Sequence, residues 1–173
     1  MARRNRLTSG TSDIQIRRAR PDDVVALGRL GALLVQEHHD FDSQRFLQAS
    51  PETPERYGWF LGTQIEKSEV IVLVATRNDE VVGYTYAGNE GYDYMALRGP
   101  AGALYDIVVD PAHRQQGIGR RLLDATLDAL REAGAPRVVL STADRNEAAQ
   151  HLFATAGFRR TMIEMTRELE ADD

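Results

Sequence analysis

Residues 104–121, LYDIVVDPAHRQQGIGRR, restrict the fold of this chain more than any other segment. An apolar strand pattern runs to Val109 and ends at Asp110-Pro111. Glycines follow two apart, at Gly117 and Gly119. An amphipathic pattern then continues to Ala133, with Ile118, Leu122, Leu123, Leu127 and Leu130 on one face and Gly134 as its stop. A buried strand joined through a glycine turn to a one-faced helix is satisfied only when helices cover a sheet. The same turn has chemistry. Gly117 and Gly119 carry no Cβ, so an anion can approach their N–H groups, and a helix start leaves unpaired donors at the positive end of its dipole. Arg114, Arg120 and Arg121 stand where acidic residues are favoured, and no acid occurs between Asp110 and Asp124. Together they predict a docking place for a polyanion. The motif lacks the Gly-Lys-Ser/Thr of a P-loop and the third glycine of a dinucleotide fingerprint.

The rest of the chain supplies the layers. Alternation of Ile14 and Ile16 with Gln15 and Arg17 predicts a strand over residues 13–19. Pro21-Asp22-Asp23 opens a helix carried by Val24, Leu27, Leu30, Leu34 and Val35 to about Glu37, and the polar residues 38–43 are expected to break it. A short helical piece is predicted around residues 45–48 and a helix over 54–67. A strand over 70–75, apolar throughout, reads as buried on both faces, and residues 81–87 return as a hairpin. Residues 88–102, rich in glycine, read as a lid or binding loop. A strand at 138–140, a helix over 147–156 closed by Gly157, and a last strand over 161–169 complete the order. This is an α/β (α+β) fold with a mixed, mostly antiparallel sheet flanked by helices.

Composition removes several classes. The 173 residues suit one domain, read as 13–173 behind a disordered basic tail at 1–12. A formal charge of −5 gives no general attraction to nucleic acid or anionic membrane, and neither is expected as a partner. Zero cysteines exclude disulfides, a thiolate nucleophile and Cys-held metal. No apolar run reaches the ~20 residues of a membrane span, and MARRNRLTSGTS lacks the apolar segment of a secretory signal, so a cytoplasmic location is expected.

These residues resemble the GNAT superfamily of acyl-CoA-dependent N-acetyltransferases. Arg114-Gln115-Gln116-Gly117-Ile118-Gly119 matches its (Q/R)-x-x-G-x-(G/A) signature, with Val109-Asp110-Pro111 ahead of it. Asn146, Ala149, Leu152-Phe153 and Gly157-Phe158 match its second signature, and residues 16–23 its usual opening. The resemblance covers about residues 13–169. It implies acetyl-CoA as acyl donor, with the N–H groups from Gln115 through Gln116, Gly117, Ile118 and Gly119 to Arg120, beside Arg114, cradling the diphosphate. Ile107, Val108 and Val109 would pair with the pantetheine amides, and the Ile107 N–H would polarise the thioester carbonyl. Asn146 would bond the pantetheine arm, Ala149 would lie beside it, and Phe153 would line the thiol end.

The sequence departs from the family at its acid and base. Phe153 stands where many members carry a proton-donating Tyr, and Ala103 stands where many carry a Glu. Asp106 is three residues on, which plain alternation puts on the opposite face. Asp106 and Tyr105 remain the catalytic candidates. His39 or Asp42, in Glu37-His38-His39-Asp40-Phe41-Asp42, could meet a cationic substrate. That cluster reads first as a solvated helix end and second as a substrate contact; adjacent histidines point in different directions, and no metal is expected. Tyr84 and Tyr86 on one strand face, and Tyr92 on the loop beside Glu90 and Asp93, suit an amine through cation–π contact, although Tyr84 and Tyr86 read first as packing against a helix. The resulting reading is acetyl transfer to a primary amine, small or peptide-borne, in a ternary complex, with a homodimer through an open sheet edge possible. The alternatives are a catalytically impaired acyl-CoA-binding regulatory module and a nucleotide-phosphate binder of another fold.

Overall fold

The structure, a computed structural model, describes residues 14–169. The tail expected at 1–12 lies outside them. Within them the order is β1 (Gln15–Arg18), a 3-10 turn (Pro21–Asp23), α1 (Val24–Phe41), α2 (Thr53–Ile65), β2 (Val70–Arg77), β3 (Glu80–Glu90), β4 (Ala101–Val109), a second 3-10 turn (Pro111–His113), α3 (Ile118–Glu132), β5 (Val138–Leu140) and α4 (Glu147–Thr155). The five strands form one sheet in sequence order. β1 to β4 pair antiparallel and β5 joins β4 in parallel. That is the mixed, mostly antiparallel sheet the pattern predicts.

Each face of the sheet has its own apolar layer. Ile71, Leu73, Ala87 and Leu104 pack with Ile118, Leu122, Leu123 and Leu130 of α3 and with Phe153 of α4. Val70, Val72, Val74, Tyr84 and Val108 pack with Leu27 and Leu30 of α1 and Leu61 of α2. β2 feeds both layers, which is why its sequence is apolar throughout rather than alternating. Glycines set the spacing of α1 and α2. A Cβ on Gly28 would meet the Pro54 carbonyl, and one on Gly31 would meet the Tyr57 ring. The β2–β3 turn is carried by Asn78 and Asp79 at φ 49° and 65°, the type I′ geometry that matches strand twist.

Four expectations fail. Residues 38–41 continue α1 rather than ending it, because the His38 side chain bonds back to the helix and Asp42 stops it one turn later. Residues 45–48 form no helix; the Asp42 carboxylate accepts the N–H groups of Gln44 and Arg45 and holds a turn. The irregular stretch between β3 and β4 is residues 91–100, since both strands run further than their apolar cores. Residues 161–169 do not form a strand. Met162, Ile163, Met165 and Leu169 are exposed there and no strand of the sheet pairs with them. Among the described residues, no helix is long and apolar enough to cross a membrane.

Candidate active site

β4 positions the site through one irregularity. Tyr86 of β3 pairs with Asp106, but the next residue, Ala87, pairs with Leu104, so Tyr105 is an extra residue in β4. This bulge puts Tyr105 and Asp106 on the same face. It also cancels the alternation argument: Asp106 shares the α1–α2 face with Ala103, not the opposite one. Asp106 is 9% exposed, and its Oδ2 accepts from Tyr57 of α2 at 2.7 Å and from Tyr84 at 2.9 Å. Burial pushes the carboxyl above its ordinary range, against the pull of the two phenols and of His38. Both phenols are themselves raised, first by burial and then by the neighbouring carboxylate.

Tyr84, read as a substrate contact, is instead fully buried and supports Asp106 from behind. The Tyr86 and Tyr105 rings pack tilted by 38° with centroids 4.7 Å apart, and Phe60 of α2 meets Tyr86 edge-on at 5.7 Å. The Tyr105 hydroxyl donates to Glu90 at 2.7 Å, and burial together with that bond raises its pKa, so its proton is committed. Tyr92 lies apart from this group, exposed and stacked on Tyr94 at the tip of the β3–β4 connection.

The second element of the site is an open strand edge. β5 pairs with β4 only through Gly102, Ala103 and Leu104. Beyond that point the edge of β4 away from β3 continues alone. Asp110 N–H donates to Val82 on β3, so by alternation the N–H and C=O groups of Val108 also face β3. Ile107 and Val109 therefore present theirs to the open edge. Of the three residues expected to pair with pantetheine, Val108 is turned the wrong way.

The third element is the turn into α3. Gln115 and Gly117 both take positive φ, 60° and 76°, and a Cβ at Gly117 would meet nothing within 4 Å. The first bond of the helix runs from Arg121 N–H to the Gly117 carbonyl at 3.1 Å, so the N–H groups of Ile118, Gly119 and Arg120 have no partner within it. Two of the three arginines expected to lack compensation have it. Arg114 pairs with Glu37 of α1 at 2.5 Å, and Arg120 with Asp124 at 2.8 Å. Glu37 is 77 residues away in sequence, which is why local charge counting misses it. Arg77 of β2 donates to Gln116 at 2.5 Å and steadies the turn.

Asn146 caps α4, its Oδ1 accepting from Ala149 N–H at 3.0 Å, which leaves its amide NH2 as a donor. Phe153 is 6% exposed, edge-on to Phe158, and belongs to the core beneath the strands; it does not line an open surface. His39 and Asp42 line one cleft of about 440 Å³ with Gln44 and Arg145, between the end of α1 and the turn entering α4. Sequence reasoning missed Tyr57 as the partner of Asp106. The glycines at 28, 31 and 58 were the available signal, since they bring α1 and α2 close enough for Tyr57 to reach β4.

A protein-family description, Acetyltransferase (GNAT) family, matches residues 33–158. The chain belongs to the GNAT family. Mycothiol acetyltransferase of Thermobispora bispora is 35% identical over 97 residues, 54% of this chain and 31% of that protein, so the chain spans about a third of that relative. An uncharacterized N-acetyltransferase of Bacillus subtilis, YhfO, is 28% identical over 147 residues, 84% of this chain and 89% of that one. The solved aminoglycoside N-acetyltransferase AAC(6')-Iy, in complex with CoA, shares the fold at TM-score 0.73 and 18% identity over 95% of this chain and 100% of that one. No group of three or more acidic or His side chains among the described residues is placed to hold a metal.

Proposed function

We propose that this GNAT enzyme moves an acetyl group from acetyl-CoA to a primary amine by direct attack, with both substrates bound. The observation that carries this reading is the parting of β4 from β5 after Leu104, beside the two left-handed residues that open α3. A cradle that a Cβ at Gly117 would enter and an unpaired strand edge fit a diphosphate and a chain of amides in turn. Acetyl-CoA supplies the activated acyl thioester. The N–H groups from Gln115 to Arg120 hold the diphosphate. Ile107 and Val109 bond the pantetheine amides, and the Asn146 amide adds a donor from the other side. The Ile107 N–H, fixed by the bulge two residues earlier, steadies negative charge on the carbonyl oxygen, a contribution of a few kcal/mol.

The acceptor comes from the α1–α2 face. Asp106 provides buried negative charge there, and the half-exposed Tyr86–Tyr105 pair with Glu90 provides an aromatic and acidic wall for a cation. No phenol replaces Phe153, and none is demanded: a thiol titrating at about 8.5 leaves as its anion without obligatory protonation. In the absence of cysteine, no thiol of the protein carries the acyl group.

Release of free thiol from acetyl-CoA, followed across a panel of monoamines, amino acids, polyamines, aminoglycosides and peptide amines, tests the reading. Amine-dependent release above the protein-free rate is expected. Tight CoA binding with no amine-dependent release for any of them would replace it with the acyl-CoA-binding module.

A further inference from the structure

The end of α1 holds a titratable side chain without a role so far. α1 faces the sheet along Leu27, Leu30 and Leu34, and His38 is the next residue of that stripe. Two tethers hold this last turn across the parting of β4 and β5. On one side Glu37 pairs with Arg114, whose Nε donates to the Val109 carbonyl on the open edge at 2.9 Å. On the other, the Phe41 carbonyl accepts from Arg145 at 2.8 Å, one residue before Asn146. His38 lies between the two tethered residues, Glu37 and Phe41, on the last turn of the helix.

The ring is also fixed in orientation and tautomer. Its Nδ1 lies 2.9 Å from the Leu34 carbonyl, and a carbonyl only accepts, so Nδ1 carries the proton of the neutral ring and Nε2 carries the lone pair. Phe46 and Phe41 meet the ring edge-on at 5.0 and 6.1 Å. Asp106 of β4, with the Tyr57 and Tyr84 phenols on its Oδ2, is electrostatically coupled to His38. The other charged groups of this helix end are held elsewhere: Glu37 pairs with Arg114, Asp42 accepts from the Arg45 N–H, the Arg45 guanidinium lies over Phe46, and Arg145 donates to the Phe41 carbonyl.

We propose that His38 is the base that takes the proton from the acceptor ammonium. The inference rests on the acetyl-transfer reading above. The ammonium gives one proton to Nε2, forming imidazolium opposite the Asp106 carboxylate. The freed nitrogen lone pair makes the C–N bond as the C–S bond breaks, the second nitrogen proton ends on the departing sulfur, and the imidazolium returns its proton to water. An amine titrating at about 10.4 is neutral only about once in 2,500 at pH 7, so a base at this place has a large deficit to recover.

The test uses the full chain, wild type and His38→Gln. Nitrogen-15 spectra of the four histidines, with His38 assigned by its loss in His38→Gln, are expected to show neutral His38 protonated at Nδ1. Protonation at Nε2 overturns the proposal without any turnover assay. With an amine that the wild-type protein acetylates, His38→Gln is expected to lose about 100-fold or more in kcat/KM at pH 7. The loss should shrink as pH approaches the amine's own pKa, with the KM for acetyl-CoA unchanged. A wild-type pH profile in His38→Gln overturns the base alone; no turnover by wild-type protein overturns the transfer reading and the base with it.

Discussion

The Tyr57 phenol on α2 donates a 2.7 Å hydrogen bond to Oδ2 of Asp106 on β4, tying the helix layer to the strand that carries the site. Asp106 is nonetheless a costly residue to keep. Its folded-state pKa is raised, chiefly by burial, so the native state binds this proton more tightly than the unfolded chain. Stability therefore falls as pH rises past the ordinary aspartate value, about 3.9, and stays lower above the raised one. Asp106→Asn keeps an oxygen for the phenols and removes the buried charge. Its urea midpoint at pH 8 is expected to equal or exceed that of the wild type, with the margin narrowing toward pH 4, while kcat/KM drops at least tenfold. A variant clearly less stable at pH 8 would mean that the phenol bonds outweigh desolvation.

The same bond depends on a glycine one layer away. A Cβ on Gly31 would occupy the place of the Tyr57 ring, so Gly31→Ala must push that ring off its seat and its hydroxyl off Asp106. Overpacking of this kind costs about 1–3 kcal/mol. We expect Gly31→Ala to lose both stability and activity, and Tyr57→Phe, which keeps the packing, to lose mainly activity. Thermal melts beside turnover for the two variants separate these effects.

Much of this was legible beforehand and some was not, for identifiable reasons. The segment from β4 through the glycines into α3 reads correctly because apolar period, glycine spacing and helix stop all agree there. The Tyr105 bulge is invisible, since nothing in TYR-ASP-ILE as a string distinguishes an extra residue from an alternating one; only the Tyr86–Asp106 and Ala87–Leu104 pairs reveal it. Glu37 and Arg114 are each unremarkable in sequence and meet only because α1 crosses the sheet toward β5. Residues 161–169 alternate well enough to look like a strand, but alternation describes a surface, and a strand also needs an edge to pair with.

Asp23 gives a pH dependence of opposite sign. Its carboxylate accepts both Arg17 guanidinium nitrogens, at 2.7 and 2.9 Å, and the Arg20 N–H at 2.7 Å. The Arg17 bond, chiefly, holds its pKa below the usual range. A depressed folded-state pKa means stability that is fully present above the unfolded value of about 3.9 and is lost as pH falls from there through the lower folded-state value. Asp23→Asn is expected to cost about 1–3 kcal/mol at pH 7, as charge-assisted bonds do. The gap between variant and wild type in urea denaturation should begin to narrow as pH falls below about 3.9 and keep narrowing as it is lowered further. A gap independent of pH would assign the effect to packing.

The turn into α3 separates folding from binding. Gly117 sits at φ 76°, where an L-residue is strained by about 1–2 kcal/mol, yet its missing Cβ faces empty space. Gly117→Ala should therefore lower stability by about that amount and no more. A ligand diphosphate in the cradle would meet the new methyl group directly, so the loss in CoA affinity is expected to exceed tenfold. Gly119 is the control, because a Cβ there would touch Leu152 and Val109 at ordinary distances of 3.6 and 3.8 Å and it is already within the helix. Gly119→Ala should gain or hold helix stability, since alanine is the better helix former by about 1 kcal/mol. Calorimetric titration with CoA, set beside thermal melts of both variants, reads the two quantities independently. If Gly117→Ala binds CoA as the wild type does, the diphosphate does not rest on this turn.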